Sequence, residues 1–178
     1  METTRTLLTK ITKENFDLFF KLYGNVEVMK MITGKALSEV EARRKFETII
    51  NSGKEDEKMG FYAVFLKETG EGIGMAKIVF TNTGEAEIGY VFLPEFWGKG
   101  FGYEVSESLV NYAISLQTIK SLIAIIDPEN VASAKILIKS GFEPETTCVI
   151  DDLPAEVYRL IFTDDMPPRR EDAKKFQL

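Results

Sequence analysis

Residues 92–102, FLPEFWGKGFG, decide how this chain is read. A strand-like run meets Pro94, glycines follow at 98, 100 and 102 among Trp97, Lys99 and Phe101, and a helical pattern begins directly behind them. Glycines remove the side chains that keep a ligand off the backbone. Amides at a helix N-terminus attract anions through unpaired donors and the helix dipole, so a pyrophosphate is the natural guest. Two familiar loops fail on spacing. A nucleoside-triphosphate loop needs GxxxxGK followed by Ser or Thr, but Lys99 lies inside the turn and no such hydroxyl follows. A dinucleotide fingerprint needs GxGxxG after the first strand of a doubly wound sheet; this turn lies past mid-chain, and Tyr103 stands where the third glycine belongs.

Upstream, FYAVFLK, IGMAKIVF and EAEIGYVFL are strand-length apolar segments divided by the turn signals ETGEG and TNTG, which reads as an antiparallel meander. Downstream, YEVSESLVNYAISL returns to helical period through Val105, Leu109, Tyr112, Ala113 and Leu116, and SLIAIID is a short buried strand. Strand, glycine turn, helix and strand make a βαβ crossover, which places two strands side by side and parallel. In DPENVASAKILIKSGF, Asp127 and Pro128, or Asn130, start a helix that ends at Gly141 as a left-handed cap, with Phe142 packing back on Leu137. TTCVID and EVYRLIF then flank DLPA as a closing hairpin.

Nearer the N-terminus, an apolar opening precedes TKENFDLFFKLYGN, where Phe16, Phe19, Phe20 and Tyr23 fall at helical spacing as a core-facing stripe that stops at Gly24. SEVEARRKFETIINSG opens with a capping box, Ser38 and Glu41, and shows Ala42, Phe46, Ile49 and Ile50 on one face. GKEDEKMG reads as a solvated loop and DDMPPRREDAKKFQL as a peripheral tail. The expected fold class is α+β (mixed α/β): one domain with a central mixed, mostly antiparallel sheet, a parallel pair at the glycine turn, and flanking helices.

Composition narrows the chemistry. The chain has 178 residues, 44% of them hydrophobic, enough for one self-sufficient core. No window approaches a transmembrane helix, and METTRTLLTK lacks the apolar centre of a signal peptide, so no membrane partner and a cytoplasmic location are expected. The net charge of -6 argues against broad contact with nucleic acid and suits a cationic partner. One cysteine allows no intrachain disulfide, and the absence of histidine removes histidine-based triads and histidine zinc sites, so no metal is expected.

Taken as a whole, the chain resembles the Gcn5-related N-acetyltransferases (GNAT), and within them the branch of ribosomal-protein N-terminal acetyltransferases. The resemblance runs from RTLLTKITKENF through EIGYVFLPEFWGKGFG to NVASAKILIKSGF. It implies one GNAT-like domain over residues 1–165, a tail over 166–178, and acetyl-CoA as cofactor. The family's loop, Gln or Arg followed by x-x-Gly-x-Gly or Ala, falls on Trp97, Gly100 and Gly102; Trp97 stands in place of the Gln or Arg, and the resemblance implies that tryptophan here is usual in the branch just named. By resemblance, the amides of Gly98, Lys99, Gly100, Phe101 and Gly102 would hold the pyrophosphate, with Tyr103 opening the helix. The backbone of Phe92 and Leu93 would run beside the pantetheine as an added strand.

Resemblance also places Asn130 against the pantetheine and Ser133 near the thioester sulfur, while each has a plainer reading, as a helix cap and a small packing residue. Many family members carry a tyrosine acid where this chain has Leu137. An amine acceptor must lose a proton before attack, and Glu87 is the first candidate base, pointing with Gly89 and Val91; a structural carboxylate is the equal alternative. By resemblance, a backbone amide near Phe92, helped by local distortion of the strand, would face the oxyanion, and Ser133 would donate to the thiolate. Cys148, without an activating neighbour, reads as a packed thiol, so direct transfer in a ternary complex is expected over an acetyl-cysteine route. The acceptor is a primary amine, either a protein N-terminus or a small amine. A non-catalytic acyl-CoA-binding or regulatory module is the alternative reading, and the edge strand of the closing hairpin leaves a homodimer open.

Overall fold

A computed structural model of the protein describes residues 1–52, 58–81 and 85–163. The loop reading at 53–57, most of the turn at 81–84 and the tail at 166–178 lie outside the described residues. Seven strands form one sheet: β1 (Thr6–Lys10), β2 (Gly60–Leu66), β3 (Gly72–Phe80), β4 (Ala86–Phe92), β5 (Ser121–Ile126), β6 (Glu143–Ile150) and β7 (Leu153–Ile161). Their order is β1-β2-β3-β4-β5-β7-β6. Every neighbouring pair is antiparallel except β4 and β5, which the crossover helix α4 (Phe101–Leu116) forces to run parallel.

Helices α1 (Phe16–Tyr23), α2 (Val26–Lys30) and α3 (Glu39–Ser52) cover one face of the sheet; α4 and α5 (Val131–Lys139) cover the other. The split follows from strand alternation. In β4, Ala86, Ile88 and Phe92 enter the core under α4 with Val105, Leu109, Leu137 and Phe142, while Val91 turns toward the opposite core of Phe19, Leu22, Phe46 and Met75. Each fully buried Leu or Phe contributes about 1.5–3 kcal/mol of transfer free energy. The two cores together therefore hold the sheet between helical layers.

Local structure departs from the sequence reading at three points. The apolar opening is strand β1, whose Thr6 and Leu8 are buried and Leu7 and Thr9 exposed, paired with β2. Helix α1 buries Leu18, Phe19 and Leu22; the expected Phe16, Phe20 and Tyr23 flank that face, half-buried, with Phe16 edge-on to Phe46 at 5.4 Å. Helix α2 has too few turns to show a period. It forms because the Asn25 side chain accepts from the amides of Glu27 (2.9 Å) and Val28 (3.2 Å).

Elsewhere the local rules hold. The Ser38 amide donates to the Glu41 carboxylate at 2.8 Å, and the Ser38 hydroxyl accepts the Glu41 amide at 3.4 Å, closing the capping box of α3. Gly141 has φ 80, and the Phe142 amide reaches back to Leu137 O at 3.0 Å, ending α5 as a left-handed cap. Among the described residues, no helix is long and apolar enough to cross a membrane.

One feature of the sheet positions the site. β4 pairs with β5 only at Ala86↔Leu122 and Glu87↔Ile123, after which β4 stays with β3 to Phe92 and β5 stays with β7 to Ile126. Near the closed end, the Ser121 hydroxyl donates to Glu85 at 2.6 Å, and Arg159 pairs with the same carboxylate. Beyond Glu87 the two strands part, and a wedge-shaped cleft opens through the sheet.

Candidate active site

The cleft is a cavity of about 510 Å³, reached by Ile88 to Val91 from β4, Ala124 to Ile126 from β5, and Asn130, Ser133 and Leu137 from the α5 segment. At its mouth, a 3-10 turn (Pro94–Phe96) leads into the glycine turn. Gly98 (φ 69) and Gly100 (φ 83) lie in the left-handed region that disfavours any side chain, and Gly100 caps α4. A Cβ on Gly98 would meet nothing within 4 Å, so this part of the turn is open to a guest. Gly102 serves a different end: a Cβ there would lie 2.8 Å from Ile136 Cδ1 and 3.5 Å from the Tyr90 ring, so its bareness lets α4, α5 and Tyr90 close together.

The turn is braced from the segment just before β1, a tie the sequence did not show. The Arg5 guanidinium donates to the Lys99 carbonyl (3.0 Å) and to Glu104 (2.7 Å), and lies 4.2 Å above the Phe101 ring. The Arg5 amide (2.7 Å) and the Thr3 hydroxyl also reach Glu104. Burial pushes the Glu104 carboxyl up, but the hydrogen bonds from Thr3 and Arg5, with the Arg5 charge, outweigh it and hold the group below the usual carboxylate range. A carboxylate in the first turn also favours the helix dipole.

Several expected cofactor residues take parts other than those foreseen. Phe101, not Tyr103, opens α4, and its ring is buried; Tyr103 sits in the first turn with Lys139 Nζ 3.8 Å from its ring centroid. The Trp97 indole donates to the Phe92 carbonyl at 2.8 Å, tying the turn back to the end of β4. Leu93 cannot line an added strand: its amide donates to Ile73 O (3.0 Å), its carbonyl accepts from Phe96 (2.9 Å), and its side chain is buried under α1–α3. Because Leu93 bonds toward β3, alternation turns the peptide groups of Tyr90 and Phe92 toward the open β5 side. The local distortion expected in β4 is absent from its ladder with β3, whose register runs unbroken from Phe80↔Ala86 to Gly74↔Phe92; the irregularity lies in the β2–β3 pairing, where Val64 and Phe65 face Gly74 and Gly72 and Ile73 is passed over.

The chemistry-bearing side chains divide by face. Glu87 lines the cavity on the α1–α3 side, where Lys77 Nζ donates to its Oε1 at 2.5 Å. Ser133 and Asn130 line it on the α5 side, where Asn130 Oδ1 accepts the Ser133 amide at 3.1 Å as the cap of α5. That bond commits the Asn130 oxygen and leaves its amide group as the part able to meet a ligand. Leu137 is 1% exposed and belongs to the core. Cys148 lies on the edge strand β6 opposite Ala155 and is not among the residues lining the cavity.

Tyr90 is the residue that the sequence reading passed over. Its hydroxyl oxygen is buried and has no hydrogen-bond partner among the described residues, although the residue lines a cavity. Burial pushes this phenol well above its ordinary range; the nearby Ser133 hydroxyl offsets that only in part and closes no hydrogen bond. A buried, unpaired hydroxyl costs about 1–3 kcal/mol. Its retention beside Ser133 is what a site awaiting a polar guest looks like. A pantetheine arm and its thioester fit this donor set, with unladdered peptide groups of β4 along one wall, a left-handed glycine turn at the mouth and the Tyr90 and Ser133 hydroxyls on the α5 side.

Residues 5–143 match the model of the acetyltransferase (GNAT) domain family. The uncharacterized N-acetyltransferase YoaA of Bacillus subtilis (strain 168) is 30% identical over 149 residues, covering 82% of this chain and 83% of that protein. The uncharacterized N-acetyltransferase p20 of Bacillus licheniformis is 29% identical over 145 residues, covering 80% and 82%. In fold, the chain is similar to an acetyltransferase (GNAT family) from Bacillus anthracis, with TM-score 0.76, 20% identity and coverage of 90% and 97%. It is also similar to aminoglycoside acetyltransferase AAC(6')-Ib, solved in complex with coenzyme A, with TM-score 0.72, 18% identity and coverage of 88% and 94%.

Proposed function

Since this chain belongs to the GNAT acetyltransferase family, we propose that it is an acetyl-CoA-dependent N-acetyltransferase acting on a primary amine by direct transfer. The observation that carries this is the parted β4–β5 pair with a left-handed glycine turn at its mouth. When bound, acetyl-CoA supplies the thioester whose carbon–sulfur bond breaks as the nitrogen–carbon bond forms. The amides of Gly98 to Gly102 and the start of α4 bind the pyrophosphate. The peptide group of Tyr90 takes the pantetheine as a substitute for the missing β5 partner, and the Phe92 amide, whose own carbonyl is held by the Trp97 indole, faces the developing oxyanion.

The two faces of the cleft separate the two ends of the reaction. Glu87, held through Oε1 by Lys77, keeps Oε2 for the acceptor amine and passes its proton to solvent. Ser133 and Tyr90 stand on the leaving-group side. Tyr90 keeps its proton at working pH, so it stabilises a developing thiolate by donating a hydrogen bond, not by surrendering the proton; the thiolate is protonated from Ser133 or solvent, and Ser133 regains its proton from solvent. This assigns to Tyr90 the stabilising part that Leu137 cannot play. Trp97 with Gly100 and Gly102 supports placing the chain near the ribosomal-protein N-terminal acetyltransferase branch, as one acetyltransferase domain over residues 1–165.

Calorimetric titration with acetyl-CoA tests the reading. Binding is expected, and ligand at about 100 times its Kd should add about 2.7 kcal/mol of stability. A folded protein with no affinity for acetyl-CoA would overturn the proposal.

A further inference from the structure

The cleft continues past Glu87 onto the α1–α3 face, and its composition changes there. Tyr23, Phe61, Met75 and Val91 supply apolar wall, while Ile32, after α2, and Ile150, at the end of β6, face the same cavity though 43% and 40% exposed. Single exposed aliphatics on a surface are ordinary. Two of them, from distant segments, at the mouth of one cavity mark a surface that an apolar ligand covers.

Charge points the same way. The charged side chains lining the cleft, among the described residues, are two lysines and three carboxylates: Lys45, Lys77, Glu87, Asp127 and Asp151. Glu87 is paired with Lys77 at 2.5 Å. Lys45 Nζ stands 5.8 Å from the Tyr23 ring centroid, so a cation already occupies an aromatic face on the acceptor side. Asp127 accepts the Glu129 amide at 2.7 Å beside the α5 cap, on the coenzyme side. A polycation needs several convergent carboxylates. Here Asp151, beside Ile150, could meet one ammonium group, and any further one would lie against apolar wall or near a lysine, at a desolvation cost that no other lining carboxylate offsets.

We propose that the acceptor is a single amine carried on an apolar body, and that polycationic amines are poor acceptors. The shared chemistry has two sources, a peptide N-terminus whose first side chain is apolar and a free aryl- or alkylamine. This inference rests on the acetyltransferase reading and sharpens it.

The test measures kcat/KM of the full chain by thiol release at fixed acetyl-CoA. The acceptors are 2-phenylethylamine, a peptide beginning Phe-Ala, a peptide beginning Asp-Ala, spermidine and kanamycin. The apolar amine or the Phe-Ala peptide should exceed spermidine, kanamycin and the Asp-Ala peptide by about tenfold or more; which of the two leads identifies the source. Ile32→Asp, at an exposed position, should erase about tenfold of that preference while leaving acetyl-CoA affinity unchanged. Equal or better turnover of a polyamine or aminoglycoside overturns the inference. So does a preference untouched by Ile32→Asp, or turnover of none of the five by protein that binds acetyl-CoA. Failure to bind acetyl-CoA in parallel calorimetry overturns the parent reading, and this one with it.

Discussion

Glu87 and Tyr90 sit three residues apart in β4 and face opposite sides of the sheet, Glu87 with Lys77 and Tyr90 with Ser133. Glu87→Gln keeps the shape and loses the proton acceptor, so turnover should fall at least tenfold and the acidic limb of the pH–rate profile should move, with acetyl-CoA affinity unchanged. A profile identical to the parent would leave Glu87 as a structural partner of Lys77. Tyr90→Phe makes a sharper contrast. Removing a buried, unpaired hydroxyl relieves a desolvation cost, so the free protein should melt at the same temperature or higher, while kcat falls about tenfold. A loss of stability would show that the hydroxyl has a structural bond. Glu87 was legible in the sequence because a carboxylate interrupts an apolar strand; Tyr90 was not, since a tyrosine at an inward position reads as core until the parting of β5 leaves its hydroxyl unmet.

At the scale of elements, the glycine turn was legible from spacing, and the division of labour within it was not. Gly100 holds φ 83, so Gly100→Val should cost about 1–3 kcal/mol in thermal denaturation and abolish acetyl-CoA binding in protein that still folds. Gly102→Ala should be close to neutral in stability. The helix gains roughly 0.5–1 kcal/mol from alanine, and the 2.8 Å contact falls on the movable end of Ile136. Equal losses at the two positions would contradict this division. The meander, the crossover, the capping box of α3 and the left-handed end of α5 followed from local rules that act within a few residues. Strand β1 and helix α2 did not, because a five-residue element carries too little periodicity; β1 exists through its ladder with β2, and α2 through one Asn25 cap. The Arg5 brace was hidden for a similar reason, since 94 residues of chain separate Arg5 from Lys99.

At the scale of the whole molecule, the sheet among the described residues is two ladders, β1-β2-β3-β4 and β5-β7-β6, that share two register pairs. Backbone hydrogen exchange should report the ligand at that junction: acetyl-CoA is expected to slow the amides of Tyr90 and Phe92 and leave those inside the β2–β3 ladder unchanged. Uniform protection throughout the sheet would indicate global stabilisation without a ligand strand in the cleft. The overall class, mostly antiparallel with one parallel pair, was legible from segment order; the parting of that pair was not, because each strand alone satisfies its own pattern and only the choice of partner, β3 for β4 and β7 for β5, pulls them apart. This parting has a mechanical consequence. Tension applied across the strands meets its weakest rungs at Ala86–Leu122 and Glu87–Ile123, so a stretched molecule should tear there first, and a bound coenzyme spanning the gap would act as a rivet that raises the rupture force.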